Sequence, residues 1–242
     1  MVAALDRPTG AGTVDRLSFA VVMPSRGLVN SRTVEAVISN IASAGYLEFR
    51  GWFVSHDKPM PLGHEAVAAD AMASGADLLW WVEDDVIAPP EALASSLAFM
   101  VRANVDVAAI DYPVGAAQDA WGCIVREASG EILWCGLGCT LMAREVFESL
   151  GAPWFTTDWR YVRDGEGWKA IPAMGPEETR FGQFDIHLCY RLREAGFRIG
   201  QVEGMMARHA RIEALGREGT NVGCHRISIR DRIERPWPGP TS

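Results

Sequence analysis

Lysine is almost missing from this chain of 242 residues, with Lys58 and Lys169 the only two. Its basic side chains are otherwise arginine, a bias read as genome composition rather than recognition. The formal net charge of −8 removes any electrostatic reason to expect non-specific binding to DNA or to an anionic membrane. Cysteine is also sparse. Cys123, Cys135, Cys139, Cys189 and Cys224 are odd in number and contain no CxxC pair, which excludes a disulfide framework and a zinc site. Reduced, partly buried thiols are expected instead. No apolar run approaches bilayer length, so no transmembrane segment is expected. Met1 to Arg16 lacks a basic region followed by an apolar core, so no secretory leader is expected and the location expected is cytoplasmic. Disorder is excluded as well, because 48% of residues are hydrophobic and 22% charged, enough apolar area for a sizeable core.

The apolar segments then divide the chain. Residues 1–16, with Pro8, Gly10 and Gly12, read as a flexible tail. Leu17 to Met23 reads as a buried strand stopped by Pro24, and Ser25-Arg26-Gly27 makes the turn. Val34, Val37, Ile38 and Ile41 fall at helical spacing before Gly45. Gly51 to Ser55 reads as a second strand ending at His56-Asp57, followed by a small-residue helix with Val67, Ala68, Ala71 and Met72. A third strand starts after Gly75, a helix carries Leu93, Leu97, Met100 and Val101 on one face, and Val105 to Ile110 is a fourth strand. This alternation predicts an α/β fold with a mostly parallel sheet and helices on both faces. Cys123–Arg126 and Ile132–Cys135 flank Ser129-Gly130 and predict an added β-hairpin. A strand over Cys139–Met142, a helix over Arg144–Leu150, a helix over Asp185–Ala195 and a strand over Phe197–Val202 complete the pattern. Residues 152–176 show no period, and Trp154, Phe155, Trp159, Tyr161 and Trp168 argue against disorder there. With no internal repeat or linker, one domain over 17–242 is expected, divided into 17–112, 113–216 and an arginine-rich 217–242.

Chemistry concentrates where the third strand ends. The run Leu78-Leu79-Trp80-Trp81-Val82 stops at Glu83-Asp84-Asp85. Strand alternation continued through the triplet places Glu83 and Asp85 together on one face, and two hard oxygen ligands at that spacing suit Mg²⁺ or Mn²⁺. A solvated acidic turn is the alternative. Parallel sheets collect ligands at their carboxyl ends, and here those ends carry Ser25-Arg26, His56-Asp57 and the triplet.

The order of these features resembles the glycosyltransferase-A fold, in particular the family-2-like nucleotide-sugar transferases. Val21-Val22-Met23-Pro24-Ser25-Arg26 is similar to that group's first nucleotide-contacting segment, and Asp57 stands where the group places an acid against the base. Glu83-Asp84-Asp85 resembles the DxD element, with Glu in the first place. Gly136-Leu137-Gly138 and the strand and helix after it resemble the glycine-rich donor-sugar segment. Phe184-Asp185-Ile186-His187-Leu188, continuing to Gly196-Phe197, resembles the segment in which a carboxylate opens a helix, and His209 corresponds to a late metal-site histidine. The likeness spans roughly residues 17 to 210. It departs from the family at Phe184-Asp185, where one carboxylate stands in place of the usual acidic pair.

The resemblance implies a metal-dependent, inverting transfer of sugar from a nucleotide-diphosphate sugar. It assigns Asp85 and His209, supported by Glu83, to Mn²⁺ or Mg²⁺, and Asp185 to the general base. Pro24, Ser25, Arg26, Asp57 and Asp84 are assigned to the nucleotide, and Gly136 and Gly138 to the donor sugar. Trp154 and Phe155 are read either as an acceptor surface or as a hydrophobic cover. The acceptor stays open among a glycan, a small molecule, a protein and a modified DNA base. Other classes stay open too: a sugar nucleotidyltransferase, a two-metal phosphoesterase and a non-catalytic nucleotide-sugar module. Pro24-Ser25-Arg26-Gly27, poor in glycine and lysine, counts against the first of these.

Overall fold

Buried apolar alternation decides which segments enter the central sheet. The computed structural model describes residues 16–25, 27–56, 58, 61–114, 121–126, 129–155 and 184–210, with 159–164 and 167–172 described as backbone. The chain begins with β1 (Ser18–Pro24), α1 (Ser31–Ser43), β2 (Glu48–Ser55), α2 (Leu62–Ala73) and β3 (Leu78–Val82). Then come β4 (Val86–Ile87), α3 (Ala92–Ala103) and β5 (Val107–Asp111). Two short antiparallel pairs follow, β6 (Pro113–Val114) with β7 (Trp121–Gly122) and β8 (Ile124–Arg126) with β9 (Ile132–Cys135). The chain continues through β10 (Cys139–Ala143), α4 (Arg144–Leu150), β11 (Trp159–Asp164), β12 (Gly167–Pro172), α5 (Phe184–Glu194), β13 (Ile199–Met206) and β14 (Arg208–His209).

Six strands form one sheet in the order β13-β5-β10-β3-β1-β2. Five run parallel. The exception is β10, antiparallel to both β3 and β5, because it returns from β5 through strands and not through a crossover helix. Side-chain alternation splits the core between the two faces. Phe19, Val21, Met23, Leu78, Trp80 and Val82 pack with Val37 of α1 and Leu93 and Met100 of α3. Ala20, Val22, Leu79 and Trp81 pack with α2, α4 and α5 through Val67, Phe147 and Leu188. The expected α/β class, mostly parallel sheet and added β8–β9 hairpin are all present.

Two expectations are corrected. Period-two alternation ends at Val82, since the Glu83 carbonyl accepts the Val86 N–H at 3.1 Å and closes a turn. The carboxylate triplet therefore lies on a turn and not on a strand face. Residues 152–176 are not without secondary structure, because β11 and β12 pair antiparallel from Trp159↔Pro172 to Asp164↔Gly167. The sequence carried the signal: Asp164-Gly165 is a hairpin dipeptide between two runs of strand-forming residues.

Against Trp81 the second core face encloses His64, in the first turn of α2. Its ring is 6.1 Å from Trp81 and nearly parallel to it, 5.5 Å from Phe155 and 4.3 Å from Phe184. Neither nitrogen has a hydrogen-bond partner among the described residues. Burial lowers its pKa to about 3. The unfolded chain binds the proton near the ordinary value of about 6.5 and the folded chain does not, so stability is complete above that pH and declines as pH falls towards 3. At about pH 4.5 this group alone should remove about 3 kcal/mol. His64→Phe fills the same aromatic box without titrating. Urea unfolding near pH 7 and pH 4.5 should show the wild type losing about 3 kcal/mol more than the variant. Equal losses would show that His64 does not enter the box as the neutral imidazole.

Candidate active site

Strand direction assembles the site. Because β10 runs antiparallel, it enters the sheet at the edge where β3 leaves, with Cys139 opposite Val82. Gly138 therefore lies beside the turn, and its carbonyl accepts the Glu83 N–H at 3.2 Å. β13 leaves at the same edge, and β14 then pairs with β4, Arg208 against Ile87 and His209 against Val86. The Ala210 N–H donates to the Asp85 carbonyl at 2.7 Å, fastening the late histidine to the turn. His209 Nε2 and Asp85 Oδ1 end 3.7 Å apart, with side chains 14% and 18% exposed.

That separation is too long for a hydrogen bond. It does fit two ligands sharing one cation, which stand about 3 to 4 Å apart when each is about 2.1 Å from the metal. Among the described residues no group of three or more His, Cys, Asp or Glu side chains gathers to form a closed metal cage. A carboxylate oxygen and an imidazole nitrogen still suit Mn²⁺ or Mg²⁺. Such ions are commonly held by one or two side chains, with substrate phosphates and water completing the shell.

The three acids of the turn do different things. Asp84 is buried, accepts the Ser25 hydroxyl at 2.9 Å on Oδ2, and accepts the Asn30 N–H at 2.9 Å on its carbonyl. Asn30 caps α1 by accepting the Arg32 N–H at 2.9 Å, so Asp84 ties the exit of β1 and the start of α1 to the turn. Ser25 is buried too, and its N–H donates to the Ser55 hydroxyl at 3.1 Å. Pro24 closes β1 beside it. Glu83 and Asp85 are only half-buried. Arg26 and Asp57 lie outside the described residues.

Asp185 stands in the first turn of α5, and its Oδ1 accepts the Ile186 N–H at 2.8 Å. Tyr112, directly after β5, has both the turn and Asp185 in its electrostatic surroundings. Burial raises the Tyr112 phenol well above 10. The Glu83 carboxylate adds to this, followed by Cys123 and then by the Asp185 carboxylate, so both acids lie within electrostatic reach of one ring. The sequence reading passes over Tyr112, although it follows the fourth strand as the polar ends Ser25, His56 and Glu83 follow the first three. The glycines of the donor-sugar assignment owe their size to the same residue. A Cβ on Gly138 would stand 2.6 Å from the Tyr112 ring and 2.7 Å from Val86, and one on Gly136 would run into the Tyr112 hydroxyl.

Trp154 and Phe155, read as an acceptor surface or as a cover, are buried in the core, which is the covering role. Phe155 lies edge-on to Trp81 at 5.1 Å, and the Trp154 indole N–H donates to the Phe147 carbonyl at 2.8 Å. Glu65 of α2 accepts the N–H groups of both residues at 2.9 to 3.0 Å. Arg191 of α5 donates to the carbonyls of Pro153 and Leu150 at 2.7 and 3.0 Å. Charged groups from two helices thus fix this segment ahead of β11. Cys123, Cys135, Cys139 and Cys189 are buried free thiols, and burial pushes the Cys139 thiol up to about 12.

Fold and geometry together define an α/β domain with a carboxylate–imidazole pair at the carboxyl edge of a mostly parallel sheet. No protein-family profile and no curated protein sequence matches the chain. Among solved structures it is similar to A197 from STIV, with a TM-score of 0.53 and 16% identity over 79% of this chain and 85% of that one, a likeness of fold. It is also similar to GalNAc-T7 solved with UDP, GalNAc and Mn²⁺, with a TM-score of 0.43 and 11% identity over 81% of this chain and 44% of that one. The second likeness is too slight to carry an argument. No helix among the described residues is long and apolar enough to cross a membrane.

Proposed function

We propose that this chain is a metal-dependent glycosyltransferase. It moves a sugar from a nucleotide-diphosphate sugar to an acceptor hydroxyl, with inversion at the anomeric carbon. The observation that carries the reading is the approach of His209 Nε2 to Asp85 Oδ1 at 3.7 Å across the β4–β14 pair. The two residues lie far apart in the chain, and their approach at the carboxyl edge of the sheet supports the reading. Asp85 and His209, with Glu83 in the same turn, would hold Mn²⁺ or Mg²⁺. A divalent cation bound there supplies Lewis-acid stabilisation to the departing diphosphate. Pro24, Ser25, Arg26, Asp57 and Asp84 are assigned to the nucleotide, with buried Asp84 acting through its bond from the Ser25 hydroxyl. Gly136 and Gly138 are assigned to the donor-sugar segment, which their small size lets pack closely against Tyr112.

Asp185 takes the proton from the acceptor hydroxyl as its oxygen bonds to the anomeric carbon and the bond to the diphosphate breaks. One displacement of this kind inverts that carbon. The test is thermal stabilisation by UDP-, GDP-, dTDP- and CMP-sugars, each with and without Mn²⁺. One diphosphate sugar should stabilise the wild type only with metal, and Asp85→Ala should abolish the response. No response of the wild type to any donor would overturn the reading.

A further inference from the structure

Tyr112 connects the two arms of the carboxylate–imidazole pair, through Gly138 to the acidic turn and through its ring to His209. Its phenol oxygen accepts the Gly138 N–H at 3.0 Å, and the Gly138 carbonyl accepts the Glu83 N–H at 3.2 Å. On its other side the Tyr112 ring stacks on the His209 imidazole, with centroids 6.1 Å apart and planes 28° apart. Its own backbone is held as firmly. The Tyr112 N–H donates to Asp111 Oδ1 at 3.0 Å, and its carbonyl accepts the Cys123 N–H at 3.0 Å. The side chain is 3% exposed, and neither Gly136 nor Gly138 tolerates a Cβ against it. A ring serving only to fill the core needs no hydroxyl. Here the hydroxyl supplies the acceptor for a buried N–H of the segment that abuts the carboxylate turn.

We infer that Tyr112 is a positioning residue that sets the spacing between the acidic turn and His209 and so prepares the pair to receive a divalent cation. This rests on the metal reading of the preceding subsection. The hydroxyl fixes the turn through Gly138, and the ring sets the plane of the imidazole.

The test is a titration with Mn²⁺ alone, followed by water-proton relaxation at a temperature well below unfolding, on the wild type, Tyr112→Phe, Tyr112→Leu and Val37→Ala. The last removes buried side-chain volume in α1, on the same core face as Tyr112 but outside its hydrogen bonds and its ring contact with His209. Tyr112→Phe keeps the ring and loses one buried hydrogen bond, so Mn²⁺ should bind about fivefold more weakly. Tyr112→Leu loses the stacking as well and should weaken binding by more than about tenfold, while Val37→Ala leaves affinity unchanged. Wild-type affinity in a folded Tyr112→Phe overturns the inference while leaving the metal reading intact. A similar loss in Val37→Ala also overturns it, because the effect is then one of general stability. Should Tyr112→Leu fail to fold, Tyr112→Phe decides alone. A wild type that binds neither Mn²⁺ nor Mg²⁺ overturns the metal reading and this inference with it.

Discussion

Asp185→Asn is expected to lower kcat by roughly 100- to 10,000-fold while donor affinity stays within about twofold. The substitution separates two roles that share one side chain. Asp185 Oδ1 accepts the Ile186 N–H in the first turn of α5, and an asparagine amide oxygen can accept the same bond, so the local bond and the helix survive. What asparagine cannot do is take a proton from the acceptor hydroxyl. Single-turnover transfer with saturating donor, together with donor titration by calorimetry, distinguishes the outcomes. Normal transfer would leave Asp185 with that local bond only. A parallel loss of donor binding would mean that it serves the ground state.

Asp85→Ala is expected to weaken metal-dependent donor binding by at least about 100-fold, more than the loss usual for residues that merely support a metal ligand. The variant isolates the side chain. The bond from the Ala210 N–H runs to the Asp85 carbonyl, so the pairing of β14 with β4 does not depend on the carboxylate. His209→Ala should lose a comparable amount, and the double variant should lose little more than either single one, because two ligands of one ion act as a unit. Additive losses would show that the two residues act independently. A full metal-dependent response in Asp85→Ala would move the site elsewhere in the chain.

How much of this was legible in the sequence depended on how local the cause was. The strands were, because side-chain period is a local property. Leu78, Trp80 and Val82 point to one core face and Leu79 and Trp81 to the other, as alternation requires. The same rule carried past Val82 misplaced Glu83 and Asp85, since a hydrogen bond from Val86 to Glu83 closes a turn there. The approach of His209 to Asp85 could be expected only from the order of motifs in a resembling family, for it depends on two-residue strands that meet across the fold. Tyr112 was hidden for a similar reason. An aromatic after a buried strand reads as core until the antiparallel entry of β10 brings Gly138 against its hydroxyl. His64, too, has no local mark, as its box is built from β3, from the segment after α4 and from α5.

The central claim is that Asp85 and His209 bind one divalent cation together with the donor diphosphate. Crystals grown with Mn²⁺ and a nucleoside diphosphate, with data collected at the manganese absorption edge, test it most directly. One anomalous peak about 2.1 to 2.2 Å from both an Asp85 carboxylate oxygen and His209 Nε2, in contact with diphosphate oxygens, is the predicted result. Bound diphosphate with no such peak, or manganese held by other residues, would contradict the account.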